Sequence, residues 1–381
     1  MTTKNTTEAF LPGDDIREEL EARGWTQRDL AAILGIPANV VSDIITGRRS
    51  ITSAIANLLS KAFGTSAQYW MNLQTAYDLA SKELKRHDSV VRRAKLYDKA
   101  PIREMIRRRW IEDTNNIDFL EAQVFKFLEI DKIEDESTFA HAARKSDDYE
   151  TKPNPLQTAW LMRAKMLAPA APVMGPYNER NFKKLIEELA PLKLEPEAIS
   201  QVPKILCKYG IRFLLIEYLS QAKIDGACFW LNNDANSPVI AMSVRFDRID
   251  WFWHTLMHEL CHVRNGDGRS NPILETRVMG EDAQPFESKP PQEQAADRFA
   301  VEFLVDQIKL NNFIARNKRA YSAINIRAFS KLLGVHPGIV VGQIHHSHVF
   351  HWKYFSNMKV KIREYIINTA LTDGWGKIIT I

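Results

Sequence analysis

Apolar residues recur at helical spacing through the first two hundred positions of this chain, and then the period changes. Over residues 11–79 the pattern predicts short helices. A first covers about 15–23. Thr26 caps a second that includes Leu30 and Ile33 and ends before Gly35-Ile36, which turns the chain into a third over 37–46. Gly47-Arg48-Arg49 breaks into a loop before a fourth helix over 52–63, and Leu30, Ile33, Ile36, Val41 and Ile44 form the expected apolar centre. Residues 80–200 read as a long helical stretch with amphipathic segments at 119–128 and 159–167 and proline-rich breaks at 152–155 and 168–172. Beyond Pro203, residues 211–217, 226–231 and 239–244 alternate as short β-strands, the last of them the expected sheet edge. Helical spacing returns at 251–265, stopped by Asn265-Gly266, and again at 292–305. Residues 324–333 and 334–342 suggest a closing helix pair. The expected fold is mostly α with a small β-sheet, an α+β chain. Its expected divisions are a flexible terminus (1–10), a helical module (11–80), a helical linker or interaction region (81–200), a C-terminal domain (201–350) and a tail (351–381).

The chemistry is densest at Trp251 to Asn265, WFWHTLMHELCHVRN. His258 and His262, four apart on a helix, stand on one face about a turn apart, so both imidazoles reach a single zinc ion. Glu259 is placed to act as general base on water activated by the metal. A catalytic zinc needs a third protein ligand. Glu293, opening the helix over 292–305, is the best placed, with Glu302, Glu281 and Glu287 as competitors. Asp297, one turn on, either accepts a hydrogen bond from a ligand histidine or is a structural acid of the helix's first turn. Cys261 reads as a small core residue or a redox-sensitive thiol. His254 and the loop 264–269 are the candidates for a second oxyanion donor. His345, His346, His348 and His351 form a metal cluster or a partly exposed helical end.

The segments SVRFDRIDWFWHTLMHELCH and EQAADRFAVEFL, following an apolar strand, resemble the ImmA/IrrE-type metallopeptidase family over about residues 203–305. That resemblance implies a gluzincin-like zinc peptidase with ligands His258, His262 and Glu293, base Glu259 and a protein substrate. The family's second motif usually ends in a Met-Pro-like stop. Here the chain continues Val305-Asp306, which leaves the helix end open.

The N-terminal module reads as a DNA-binding helix-turn-helix, with a helical protein-interaction domain as the alternative. LPGDDIREELEARGWTQRDLAAILG and FGTSAQYWMNLQTAYDL resemble the Xre-type repressors, and more closely the HigA-type antitoxin branch. The resemblance implies that Gln27 and Arg28 touch phosphates. It sets Ala38, Asn39, Ser42 and Asp43 at base edges, and Arg48 and Arg49 on the DNA backbone.

Charge tempers this picture. Residues 1–80 hold 7 Lys+Arg against 9 Asp+Glu, net −2, whereas residues 81–111 hold 11 against 4, net +7. The run Arg107-Arg108-Arg109 is either an electrostatic grip on DNA or a solvated helix face. The chain of 381 residues is 45% hydrophobic and 26% charged, with no apolar run of membrane-spanning length. MTTKNTTEAF lacks a signal-peptide core, and three cysteines make no disulfide framework, so a bacterial cytoplasmic setting is expected. Together these readings predict a DNA-binding regulator, expected as a homodimer on an operator, with a Zn²⁺-dependent endopeptidase domain that cleaves a regulatory protein. The alternative is a HigA-like antitoxin and autorepressor, binding a toxin, whose zinc domain senses or scaffolds without turnover. A zinc hydrolase of small molecules is a third.

Overall fold

The computed structural model describes residues 10–81, 83–145, 152–276, 286–317, 321–347, 349 and 351–377, in two compact units, 1–95 and 96–381. The first unit is helical: α1 (Pro12–Arg23), α2 (Gln27–Leu34), α3 (Ala38–Ile45), α4 (Ser53–Phe63) and α5 (Ala67–Ser81). Pro12 opens α1, where a missing N–H costs nothing, so the helix starts earlier than the expected residue 15. Thr26 caps α2 in a reciprocal box: its Oγ1 accepts from the Asp29 amide at 3.2 Å, and Asp29 Oδ2 accepts from the Thr26 amide at 2.8 Å. Leu30, Val41 and Ile44 are buried with Ile16, Leu59 and Trp70. Ile33 departs from expectation. It is 49% exposed, on the face of α2 that points away from this core.

α6 (Glu83–Lys99) carries the chain into the second unit, followed by α7 (Ile102–Arg107), α8 (Ile117–Leu128), α9 (Thr138–Ala142), α10 (Pro155–Leu167), α11 (Phe182–Leu189) and α12 (Val202–Lys208). A mixed sheet of six strands occupies its centre: β1 (Arg144–Lys145), β2 (Arg212–Ile216), β3 (Ile224–Trp230), β4 (Pro238–Met242), β5 (Ile273–Thr276) and β6 (Leu371–Asp373), in the order β1-β5-β3-β4-β2-β6. β3 runs antiparallel to β4 and β5; the other pairings are parallel. The remaining helices are α13 (Ile249–Asn265), α14 (Pro291–Leu304), α15 (Gln307–Asn317), α16 (Ala323–Leu333), α17 (Pro337–His346) and α18 (Arg363–Ile366).

Strand alternation sorts the core into two layers, because successive side chains point to opposite faces. Phe213, Leu215, Cys228, Trp230, Ile240 and Met242 pack with α11–α14, α16 and α17. Leu214, Ile216, Ala227, Phe229, Val239, Ala241 and Leu274 pack with α7, α8 and α10. Within the stretch expected as a helical linker or interaction region, residues 96–171 therefore supply one wall of this unit and residues 177–199 join the other. β4 corrects the expected edge: it lies between β3 and β2, buried along its whole length, which explains its uninterrupted Pro-Val-Ile-Ala-Met run. The expected tail also belongs to the core, through buried Met358, Ile362 and Ile366 and through β6. No described helix is long and apolar enough to cross a membrane.

Candidate metal centre and nucleic-acid interface

α13 is buried from Ile249 through Val263, polar residues included, between the sheet and helices α14 and α17. Apolar Trp251, Phe252, Trp253, Leu256, Met257 and Leu260 surround its polar residues, as suits an enclosed helix. His258 and His262 share one face, with their Nε2 atoms 3.2 Å apart. Each ring is held from behind by a carboxylate: Asp297 Oδ1 lies 3.0 Å from His258 Nδ1, and Asp267 Oδ2 lies 3.1 Å from His262 Nδ1. With Nδ1–H donated to a carboxylate, each Nε2 lone pair points into the shared space, the orientation a metal requires.

Two carboxylates complete the cluster. Glu293, on the first turn of α14, places Oε2 at 3.1 Å from His258 Nε2 and 3.6 Å from His262 Nε2. Glu275, on β5, places Oε2 at 3.3 Å from His258 Nε2 and Oε1 at 3.5 Å from His262 Nε2. Among the described residues this is the single group of three or more His, Cys, Asp or Glu suited to a metal. The expected competitors of Glu293 are placed elsewhere: Glu287 and Glu302 are exposed, and Glu281 lies outside the described residues. α14 ends at Leu304, with Val305 already extended, so the missing Met-Pro stop does not prolong it.

Glu259 faces β3 rather than the ligand atoms. A Cβ on Gly226 would lie 2.2 Å from Glu259 Oε1, so a side chain there would displace the carboxylate. Among the described residues neither Glu259 oxygen has a hydrogen-bond partner. Burial, reinforced by the Glu275 charge, pushes its pKa well above the usual carboxylate value. Burial opposes charging His258 and His262. Glu275 and Asp297 around the first, and Asp267, Glu275 and Glu293 around the second, nevertheless hold both imidazoles well above their ordinary pKa. Burial also opposes ionising Asp297. The hydrogen bond to His258 and the charge of Lys289, whose Nζ lies 2.6 Å away, outweigh it and keep the carboxyl low. Buried carboxylates around two inward-pointing imidazole nitrogens form a site built to receive a cation, and the nitrogen–oxygen donor set suits zinc.

The sequence reading missed Glu275, Asp267 and Lys289. Asp267 sits in the Gly266-Asp267-Gly268 turn after α13, and this loop is fixed to β3. Trp230 Nε1 donates to the Asp267 carbonyl at 2.9 Å, and a Cβ on Gly268 would strike the Cys228 carbonyl at 2.7 Å. His254, proposed as an oxyanion donor, is fully buried with both ring nitrogens unpartnered, its centroid 6.3 Å from that of His258. Cys261 is buried, and burial raises its pKa, as suits a core thiol. Among the described residues the C-terminal histidines form no metal-binding group. Buried His345 is engaged by the Tyr354 carbonyl (2.9 Å) and Lys359 Nζ (2.9 Å), His351 binds a backbone amide, and His348 lies outside the described residues.

In the first unit, Gln27, Arg28, Ala38, Asn39, Arg48 and Arg49 are exposed, and Ser42 and Asp43 are half-buried. Arg48 Nε lies 3.2 Å from Asp43 Oδ1, which offsets the acid on the expected reading face. Arg108 of the basic run is neither solvated nor available to DNA. Its guanidinium donates to the carbonyls of Glu217 (2.8 Å) and Tyr218 (2.7 Å) and to Glu104.

Residues 16–70 match the helix-turn-helix family model, and residues 208–340 match that of the IrrE N-terminal-like domain, peptidase family M78. Virulence-associated protein I of Dichelobacter nodosus is 40% identical over 81 residues, covering 21% of this chain and 75% of that protein. The HTH-type transcriptional regulator YddM of Escherichia coli is 38% identical over 72 residues, 19% of this chain and 77% of that protein. Antitoxin HigA-1 of Vibrio cholerae is 39% identical over 62 residues, 16% of this chain and 58% of that protein. The fold and these likenesses define a helix-turn-helix DNA-binding regulator. More particularly, the chain belongs to the HTH-type transcriptional regulators and carries an IrrE N-terminal-like domain in its second unit.

Proposed function

We propose that this regulator is also a zinc-dependent endopeptidase acting on a regulatory protein, with zinc held by His258, His262 and Glu293. The carrying observation is the pair of Nε2 atoms 3.2 Å apart, each ring oriented by a carboxylate, beside a buried glutamate. Zinc, when bound, supplies a Lewis acid that makes water nucleophilic near neutral pH and takes up charge developing on a scissile carbonyl. The protein does the rest. Asp297 and Asp267 fix the histidine tautomers. Glu259 takes the proton from the attacking water and returns it to the leaving amine. In the first unit, Gln27, Arg28, Arg48 and Arg49 hold phosphates, while Ala38, Asn39, Ser42 and Asp43 face base edges. Two copies reading two half-sites make a homodimer.

Metal analysis of wild type, Glu293→Ala and Glu259→Gln tests the centre, with cleavage of a quenched-fluorescent peptide library as the second readout. About one zinc per chain is expected in wild type, lost in Glu293→Ala and kept in inactive Glu259→Gln. A Glu259→Gln protein that still cleaves would remove the base assignment.

The likeness to antitoxin HigA-1 favours a second reading, an autorepressor that binds a toxin while the metal domain senses or scaffolds. It expects operator binding and toxin capture to be unchanged in Glu259→Gln, with no cleavage by wild type.

A further inference from the structure

A peptidase zinc keeps three protein ligands and leaves one position open. Four side chains converge here instead. We propose that Glu275 is a fourth protein ligand and fills the position a substrate needs, so that this conformation is a latent state of the centre. The inference rests on the zinc reading above.

Three observations carry it. The first is geometric. Bonds of about 2.0–2.1 Å to a tetrahedral zinc set ligand atoms about 3.3–3.4 Å apart. The His–His and His–Glu293 separations run from 3.1 to 3.6 Å, with one Glu293 oxygen facing both rings, and Glu275 turns both of its oxygens to the same centre, Oε2 at 3.3 Å from His258 Nε2 and Oε1 at 3.5 Å from His262 Nε2. The second is burial. Glu275 is 0% exposed, and its oxygens face the imidazoles of His258 and His262. A buried carboxylate carries a desolvation cost that a bound cation offsets. The third is placement. On β5, Leu274 turns to the opposite wall, which directs Glu275 toward α13. Glu275 pairs with Gly226, whose bare backbone also makes room for Glu259, so base and fourth ligand occupy one crowded spot under β3.

β5 also shows how the position can open. Its described pairing with β1 covers only Ile273 and Leu274. Glu275 and Thr276 pair with Gly226 and Ile224 of β3, at an irregularity in register. Withdrawing this strand end removes one ligand and leaves His258, His262 and Glu293 in place. A bound protein that takes over the end of β5 is the kind of signal that would activate the centre.

The test uses full-length protein loaded with Co²⁺ in place of zinc, with acetohydroxamate as the probe of an open coordination position. In wild type the visible cobalt spectrum should not respond to the probe. In Glu275→Gln, the near-isosteric change, it should shift on titration, and zinc affinity measured against a chromogenic chelator should fall roughly a hundredfold. Glu275→Asp should recover part of that affinity. A wild-type spectrum that shifts with the probe overturns the proposal without any variant having to fold. So does a Glu275→Gln affinity equal to wild type in a chain that loses its metal on Glu293→Ala; that result leaves the zinc reading standing. A wild-type chain that takes up neither zinc nor cobalt overturns both.

Discussion

The two units of this chain use the same ion-pair chemistry on opposite sides of the water boundary. In the first, Arg48 and Asp43 meet at 3.2 Å with side chains 70% and 38% exposed. In the second, Lys289 and Asp297 meet at 2.6 Å with side chains 7% and 4% exposed. Water screens the first pair and replaces either partner at little cost, so both groups remain available to an incoming phosphate or base. The second pair has no solvent to fall back on. Asp297 must be ionised to orient His258, and Lys289 balances the charge that this requires. An exposed pair can serve recognition, whereas a buried one commits the fold to its site.

The largest break in this comparison is Asp297→Ala. It strands a buried ammonium and releases the His258 ring, and we expect a loss of about 3–5 kcal/mol in stability of the metal-free protein. Zinc affinity should fall about 10–100-fold in the same variant. Replacing both partners, Lys289→Met with Asp297→Leu, should recover most of the stability and none of the affinity. Urea unfolding and chelator competition separate the two effects. Recovery of affinity in the double variant would mean that Asp297 does not act through His258.

The same contrast governs what the sequence made legible. The recognition helices are local: Thr26, Asp29, Gly35 and the apolar positions of α2 and α3 lie within twenty residues, and caps and turns are written in neighbouring letters. His258, Glu259 and His262 were readable for the same reason, since one helix turn brings them together. Glu293 and Asp297 could be placed one turn apart on a second helix, and the resemblance supplied their pairing with the first. Glu275 had no local signal. Ile-Leu-Glu-Thr is too short to announce a strand, and its facing depends on pairing with Gly226 almost fifty positions earlier. Lys289 and Asp267 were hidden similarly, as charged residues in turns that ordinarily mark surface. β4 misled in the other direction: its apolar run marks a strand, but lying between two strands is a property of the sheet order that a short run does not announce.

A smaller effect sharpens the comparison through pH. His345 is buried, and that burial, together with the neighbouring Lys359 charge, lowers its pKa to about 4. Its contacts fit a neutral ring, with Nε2–H donating to Tyr354 and Nδ1 accepting from Lys359. Between about 4 and 6.5 the unfolded chain binds more protons at this residue than the folded one, so its contribution to stability rises with pH across that window and is flat above it. His345→Asn should remove this part of the acid sensitivity. Because the metal-site histidines titrate in the opposite sense, the measurement is the difference between wild-type and variant unfolding midpoints at pH 7 and pH 5. An identical drop in both proteins would mean that His345 is not held neutral.

The smallest expected change in stability belongs to Arg48→Ala, and it contrasts with an arginine from the other unit. Losing an exposed pair should alter stability by about 0–1 kcal/mol. If Arg48 holds a DNA phosphate, the same substitution should weaken operator binding similarly across sequences and reduce the salt dependence of the affinity by about one counterion. Arg108→Ala should do the reverse. Its guanidinium is buried against two backbone carbonyls and lies 5.4 Å from the Trp110 ring centroid, so removing it should lower stability and leave the salt slope unchanged. Fluorescence anisotropy on an operator duplex at several salt concentrations, paired with thermal melts, reads both quantities. Two arginines that are equally basic in the sequence would then separate by where water reaches them. A salt slope that moved with Arg108 and not with Arg48 would shift the DNA-binding surface out of the first unit.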